Sequence, residues 1–167
     1  MAITIGTLHL PTDKIQEEAL KCLPASTYPL YQQERLSLYN AEWENPDLLE
    51  SCGVALSKAV EVPVLEVYCM DEDIFRLRLW EKGEPKAQCG CSLFDDFSIE
   101  EKNIAAFPAA FKVEDPEGRA LSALLVAADE DEYRDYLEEL SAYFSMPLVP
   151  DTDIFLSMEE ESENYKP

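Results

Sequence analysis

The run Val64-Leu65-Glu66-Val67-Tyr68-Cys69-Met70-Asp71-Glu72-Asp73-Ile74-Phe75-Arg76-Leu77-Arg78-Leu79-Trp80 decides the fold. Two segments rich in β-branched, aromatic and leucine side chains flank the polar turn Asp71-Glu72-Asp73. A three-residue loop would set Cys69 opposite Phe75, Val67 opposite Leu77 and Leu65 opposite Leu79, all apolar. The same register sets Glu66 opposite Arg78 and Tyr68 opposite Arg76 on the other face. A slip of one residue would mix the two sets, so the pattern itself selects this pairing. The next turn, Glu81-Lys82-Gly83-Glu84-Pro85, has the glycine and proline of a hairpin loop, and a third strand follows from about Lys86 to Leu93. Residues 62–93 therefore read as an antiparallel meander.

On the N-terminal side, Met1 to Leu10 reads as a strand ended by Pro11. Thr12 is placed to cap a helix reaching about Leu23, with Ile15, Ala19, Leu20 and Leu23 on one face. Pro24 to Pro29 reads as a loop, and Glu34 to Asn40 as a strand with Leu36 and Leu38 on one side. Asn45-Pro46-Asp47 signals a helix start, followed by a stripe of Leu48, Leu49, Cys52, Leu56 and Val60. Beyond the meander, Ser98 and Glu101 form a capping box ahead of Ile104 and Phe107. Asp115-Pro116-Glu117 opens a helix with Leu121, Leu124, Leu125 and Ala128. Asp129 opens a last helix carrying Tyr133, Tyr136, Leu137, Leu140 and Phe144. The expectation is one α+β domain over 1–156, an antiparallel sheet packed with helices and a helical C-terminal third, followed by an acidic tail at 157–167.

The chain has 167 residues, enough for one domain that buries about 70 % of its unfolded surface. Its 35 acidic and 13 basic residues give a net charge of −22, while a hydrophobic content of 47 % is too high for an acidic disordered chain. The excess charge must lie on the surface of a folded body. Such a field repels nucleic acids and anionic membranes, whose recognition rests on cationic contacts. No apolar run is long enough for a membrane helix, and the first residues show no signal peptide. With its five cysteines reading as reduced thiols, the expected location is the cytoplasm.

Few residues suggest catalysis. Asp71 and Asp73, joined by Asp95 and Asp96, could present carboxylates to Mg²⁺ in a small hydrolase or transferase, and Asp151-Thr152-Asp153 has the same form. The competing reading is a polar turn in a chain dense with acids. Cys89-Gly90-Cys91 is a poor zinc half-site. If Lys86 pairs with Trp80, both thiols face the apolar side, and Cys69 stands roughly 9.6 Å from Cys91, two strand spacings away. His9, the single histidine, reads as structural, and no phosphate-binding glycine loop or nucleophile elbow occurs. No cofactor is implied.

Two features point to binding. Arg76 and Arg78 share a strand face with Trp80 and Tyr68, either as an anion or partner site with aromatic anchors or as ion-pair partners of Glu66 and helix acids. The second feature is Asp129-Glu130-Asp131-Glu132. From Asp129 onward, 13 acids face only Arg134 and Lys166. That excess goes beyond helix capping and would attract a basic protein partner.

The meander Val64 to Gly83, followed by helices at 115–128 and 129–144, resembles in its order of elements the small bacterial immunity proteins that neutralise polymorphic toxins. The likeness covers about half of the chain and is one of architecture. It implies an acidic, cytoplasmic, non-catalytic protein that covers the active site of a basic toxin domain. That group shares no binding motif, so no contact residue carries over from it. The sequence leads to a non-enzymatic interaction module, an inhibitor or immunity protein, bound through Asp129, Glu130, Asp131 and Glu132 with Arg76, Arg78 and Trp80.

Overall fold

Alternation of apolar and polar side chains along β4 (Val64–Met70) and β5 (Ile74–Glu81) places two different residue sets on the two faces of a sheet, and both sets are covered. The computed structural model describes residues 4–70, 74–92, 98–127 and 136–148. The other strands are β1 (Ile5–Leu10), β2 (Tyr28–Gln32), β3 (Arg35–Tyr39), β6 (Glu84–Ser92) and β7 (Ser98–Lys102). They form one seven-stranded sheet in the order β2-β3-β1-β4-β5-β6-β7, antiparallel at every pairing. The described helices are α1 (Glu17–Leu20), α2 (Pro46–Ala59), α3 (Ala106–Phe111), α4 (Arg119–Ala127) and α5 (Tyr136–Phe144), with a 3-10 turn at Ala41–Glu44. The protein is thus an α+β fold.

The central register is the one its residue pattern selects. Cys69 pairs with Phe75, Val67 with Leu77, Leu65 with Leu79, Glu66 with Arg78 and Tyr68 with Arg76. Cys89 and Cys91 fall opposite Leu77 and Phe75 as expected. One detail differs: the register shifts between Leu79 and Trp80, so Trp80 pairs with Pro85 rather than Lys86. The face bearing Leu65, Leu77 and Cys89 packs against Phe107, Phe111, Leu121, Leu125, Leu140 and Phe144 from α3, α4 and α5. The opposite face packs Leu8, Leu38, Tyr68 and Trp80 against Trp43 of the 3-10 turn and Leu49, Cys52 and Leu56 of α2. Asn45 caps α2, its side chain accepting from the Asp47 and Leu48 amides, with Pro46 at the first helical position.

Four local expectations give way to tertiary structure. The helix expected over Thr12 to Leu23 shrinks to the single turn of α1, and the Thr12 hydroxyl instead accepts from the Lys14 amide in a local turn. Its apolar face is nonetheless right, since Ile15, Ala19, Leu20 and Leu23 all pack on the α2 side. The expected loop ahead of Pro29 runs into strand β2, which turns into β3 through Gln33 and Glu34, both at positive φ (50° and 62°). A two-residue turn of that shape normally announces itself by Asn or Gly, and neither is present. Ser98 and Glu101 belong to strand β7, not to a capping box, because β6 supplies partners for their backbone. Asp115 does serve α4, but across an intervening turn: its carboxylate accepts from the Ala120 and Leu121 amides and from the Tyr143 hydroxyl. The start of the last expected helix, at Asp129 to Tyr133, and the tail at 157–167 lie outside the described residues.

Arg35 joins the sheet to the helical layer. From the end of β3 its guanidinium donates to the Phe144 carbonyl and, at 2.8 Å, to the Phe111 carbonyl, while stacking over the Phe111 ring at 5.5 Å. One cation thereby satisfies carbonyls at the C-terminal ends of both α3 and α5, where the helix dipole favours positive charge. Arg35→Ala is expected to lower stability by about 2–3 kcal/mol, and Arg35→Lys by less, in denaturant melts of the full chain.

Candidate functional site

The face beneath α2 carries an unusual row of charge for a covered sheet. Glu66, from the middle of β4, is 0 % exposed. Arg78, its partner on β5, donates through Nε to Oε2 at 2.6 Å and through Nη2 to Oε1 at 3.1 Å, a two-point guanidinium–carboxylate contact. Glu50 on α2 approaches the same Nη2 at 3.5 Å. Arg78 also lies over the Trp80 ring at 5.1 Å, and Arg76 over the Tyr68 ring at 5.4 Å.

Arg76 is the less satisfied of the two. Its Nη2 comes within 3.6 Å of Glu66 Oε2, an oxygen already bonded to Arg78. Its Nε and Nη2 are buried without a hydrogen bond among the described residues. Burial, and then the neighbouring Arg78 charge, lower the pKa of this guanidinium. Two guanidinium groups thus share one fully buried carboxylate and one half-exposed one. The cluster is close to neutral as a whole, and Arg76 is the less closely paired of its two cations.

Of the sequence-predicted binding residues, Arg76 is 27 % exposed in its side chain, whereas Arg78 and Trp80 are buried. Arg78 and Trp80 therefore do not present a surface to a partner. They are enclosed between the sheet and α2, where Arg78 makes the ion pairs with Glu66 and a helix acid that were its alternative reading. Asp129, Glu130, Asp131 and Glu132 lie outside the described residues, as do Asp71, Asp73, Asp95, Asp96, Asp151 and Asp153. Among the described residues, no group of three or more histidine, cysteine or acidic side chains is placed to hold a metal ion. Cys89 and Cys91 sit in the apolar core, and burial pushes the Cys89 thiol well up from its ordinary value.

His9 occupies a second buried polar group, on the other face. Its Nδ1 lies 2.8 Å from the Ser37 hydroxyl, and its Nε2 lies 2.8 Å from the Thr7 hydroxyl and 3.1 Å from the Leu148 carbonyl. A carbonyl only accepts, so Nε2 carries the proton and Nδ1 accepts from Ser37. The Thr7 hydroxyl also donates to the Leu148 carbonyl, at 2.7 Å. Neutral imidazole thus satisfies both ring nitrogens. Burial lowers its pKa from 6.5 to about 4, against a smaller opposing effect of the Leu148 carbonyl. The sequence did not reveal this network, because Leu148 lies 139 residues from His9.

No protein-family model, no curated protein and no solved structure matches this chain. Among the described residues, no helix is long and apolar enough to cross a membrane.

The two buried groups have distinct signatures. Glu66→Gln strips the carboxylate from two enclosed cations and should cost about 3–5 kcal/mol in denaturant melts, while a Glu66→Leu/Arg78→Met double substitution costs less than that single one. For His9, the unfolded state binds the extra proton first as pH falls. Stability should therefore decline from about pH 6.5 to about pH 4, by up to about 3 kcal/mol, on top of carboxylate effects. His9→Gln should remove that part of the slope in melts recorded across the same range.

Proposed function

We propose that this chain is a non-enzymatic protein-interaction module, an inhibitor or immunity-type protein of the cytoplasm, whose acidic surface binds a basic protein partner. The carrying observation is where the fold puts its scarce cations. Arg35, Arg76 and Arg78 are turned into helix ends and the sheet face, whereas Glu17, Glu34, Glu42, Glu114, Glu138 and Glu139 are exposed. The chain's net charge is −22, and these exposed acids present part of that excess on the outer surface. Of the exposed cations, Lys21, Lys86 and Arg119 lie within ion-pair distance of an acid on the same surface, and Lys14, Lys58, Lys82, Lys102 and Lys112 are exposed as well.

Such a surface speeds encounter with a basic partner and disfavours acidic competitors. The segment Asp129 to Glu132 continues into the exposed Glu138 and Glu139 of α5, making this end of the chain the proposed centre of contact. Arg76 is the one sheet arginine retained in the binding set, lying over the Tyr68 ring, while Arg78 and Trp80 are enclosed beside it.

The test begins with a low-salt affinity capture from the native host and continues with the purified partner. The association rate constant should fall at least tenfold, on the order of the loss expected for steered encounter, between about 50 and about 500 mM NaCl. Replacing Asp129, Glu130, Asp131 and Glu132 by their amides should slow association while leaving the dissociation rate nearly unchanged. A rate indifferent to salt and to these four substitutions would sink the proposal.

A further inference from the structure

The α2-side face of the sheet is not covered to its edge. α2 packs on β1, β4 and β5, and beyond β5 the surface opens into a groove of about 350 Å³ running over β6 to β7. Ile74, Arg76, Gln88, Gly90, Ser92 and Glu100 are among the residues that line it. Its middle is set by one row of the register: Arg76 pairs with Gly90, and Gly90 pairs with Glu100. A Cβ on Gly90 would fall 2.3 Å from the Phe75 carbonyl oxygen, so the position stays bare and the groove keeps a flat floor.

The walls of that row have opposite charge. Arg76 stands on one side; its guanidinium leans over the Tyr68 ring toward Glu66 on β4, Nε and Nη2 are buried, and only the rest of its 27 % exposed side chain is left to meet a ligand. Glu100 is exposed on the other side, two strand spacings away, roughly 9.6 Å between backbones. Among the described residues, neither Arg76 nor the neighbouring Lys102 lies within ion-pair distance of Glu100. We propose that this groove binds a small zwitterion of the amino-acid type, with its carboxylate on Arg76 and its ammonium on Glu100.

Charge and size both select that ligand class. A free anion must enter against the field of a protein of net charge −22, and a free cation gains nothing from Arg76. A dipolar molecule carries no net charge, avoids that repulsion and complements both walls. Burial and the nearby Arg78 disfavour the charged form of Arg76 while Glu66 and Glu50 favour it, and a further carboxylate beside it would add to the favourable side. The volume lies at the small end of ligand cavities, which suits a free amino acid better than a nucleotide or a peptide. The groove shares Arg76 with the binding set proposed above but none of Asp129, Glu130, Asp131 and Glu132, so loss of salt-dependent docking would leave this proposal standing.

The experiment is an amide-resolved NMR titration of the full chain with straight-chain amino acids of every length from glycine to 6-aminohexanoate, up to about 20 mM. Acetate and butylamine serve as singly charged controls. Saturable shifts at the Gly90 amide are expected for at least one chain length, with each control about tenfold weaker or worse. Arg76→Gln and Glu100→Gln should each weaken binding by a similar factor. Glu100 is exposed on an edge strand, so Glu100→Gln should melt like the parent and remains informative if Arg76→Gln fails to fold. Absence of a saturable shift at Gly90 for every chain length would overturn the proposal. So would acetate binding as tightly as the best zwitterion, or binding unaffected by Glu100→Gln.

Discussion

A buried carboxylate on a central strand constrains most of what surrounds it. Glu66 is wholly enclosed, and a charge in that position survives only if strong donors surround it. Arg78 supplies two of them, which ties β4 to β5 in one register and draws Glu50 of α2 toward the sheet. Tyr68 and Trp80 then lie against the guanidinium groups and fill the space a smaller residue would leave. The pair is poor evidence of extra stability, since two well-packed apolar residues could do as much. It also bears on register, since a slip of one residue would set Glu66 against the apolar set of β5 instead of a guanidinium.

The other face uses the same logic with neutral groups. Thr7, His9 and Ser37 form a polar strip at one side of an otherwise apolar surface, and the Leu148 carbonyl closes it. Arg35 does similar service for the carbonyls of Phe111 and Phe144. The helical layer is therefore held on the sheet by apolar packing in its middle, and by directional polar contacts where helices end. A backbone carbonyl leaving a helix needs a donor, and on this face a sheet side chain provides it.

Much of the centre of the fold was legible because its signals are local. Strand pairing from Val64 to Cys91 follows from period-two alternation on both sides of a short turn, and the start of α2 from Asn45-Pro46. The edges were not. β2 and β7 are strands because β3 and β6 offer them hydrogen-bond partners, and the turn at Gln33-Glu34 lacks the residues that usually mark its shape. Of the candidate site, the chemistry of Arg76 and Arg78 was visible, but the difference between them was not. That difference depends on how far α2 reaches across the sheet.

The amino-acid sequence by itself determined the acid excess, the central register and the separation of charged from apolar residues on β4 and β5. These follow from composition and from spacings of a few residues, which act wherever the chain goes. Only the tertiary structure decided which face α2 covers, and so which arginine is sealed in and which borders an open groove. It alone brought Leu148 to His9 and set Glu100 across Gly90 from Arg76. Such placements join residues far apart in sequence, and they exist only once every layer of the sheet has been packed.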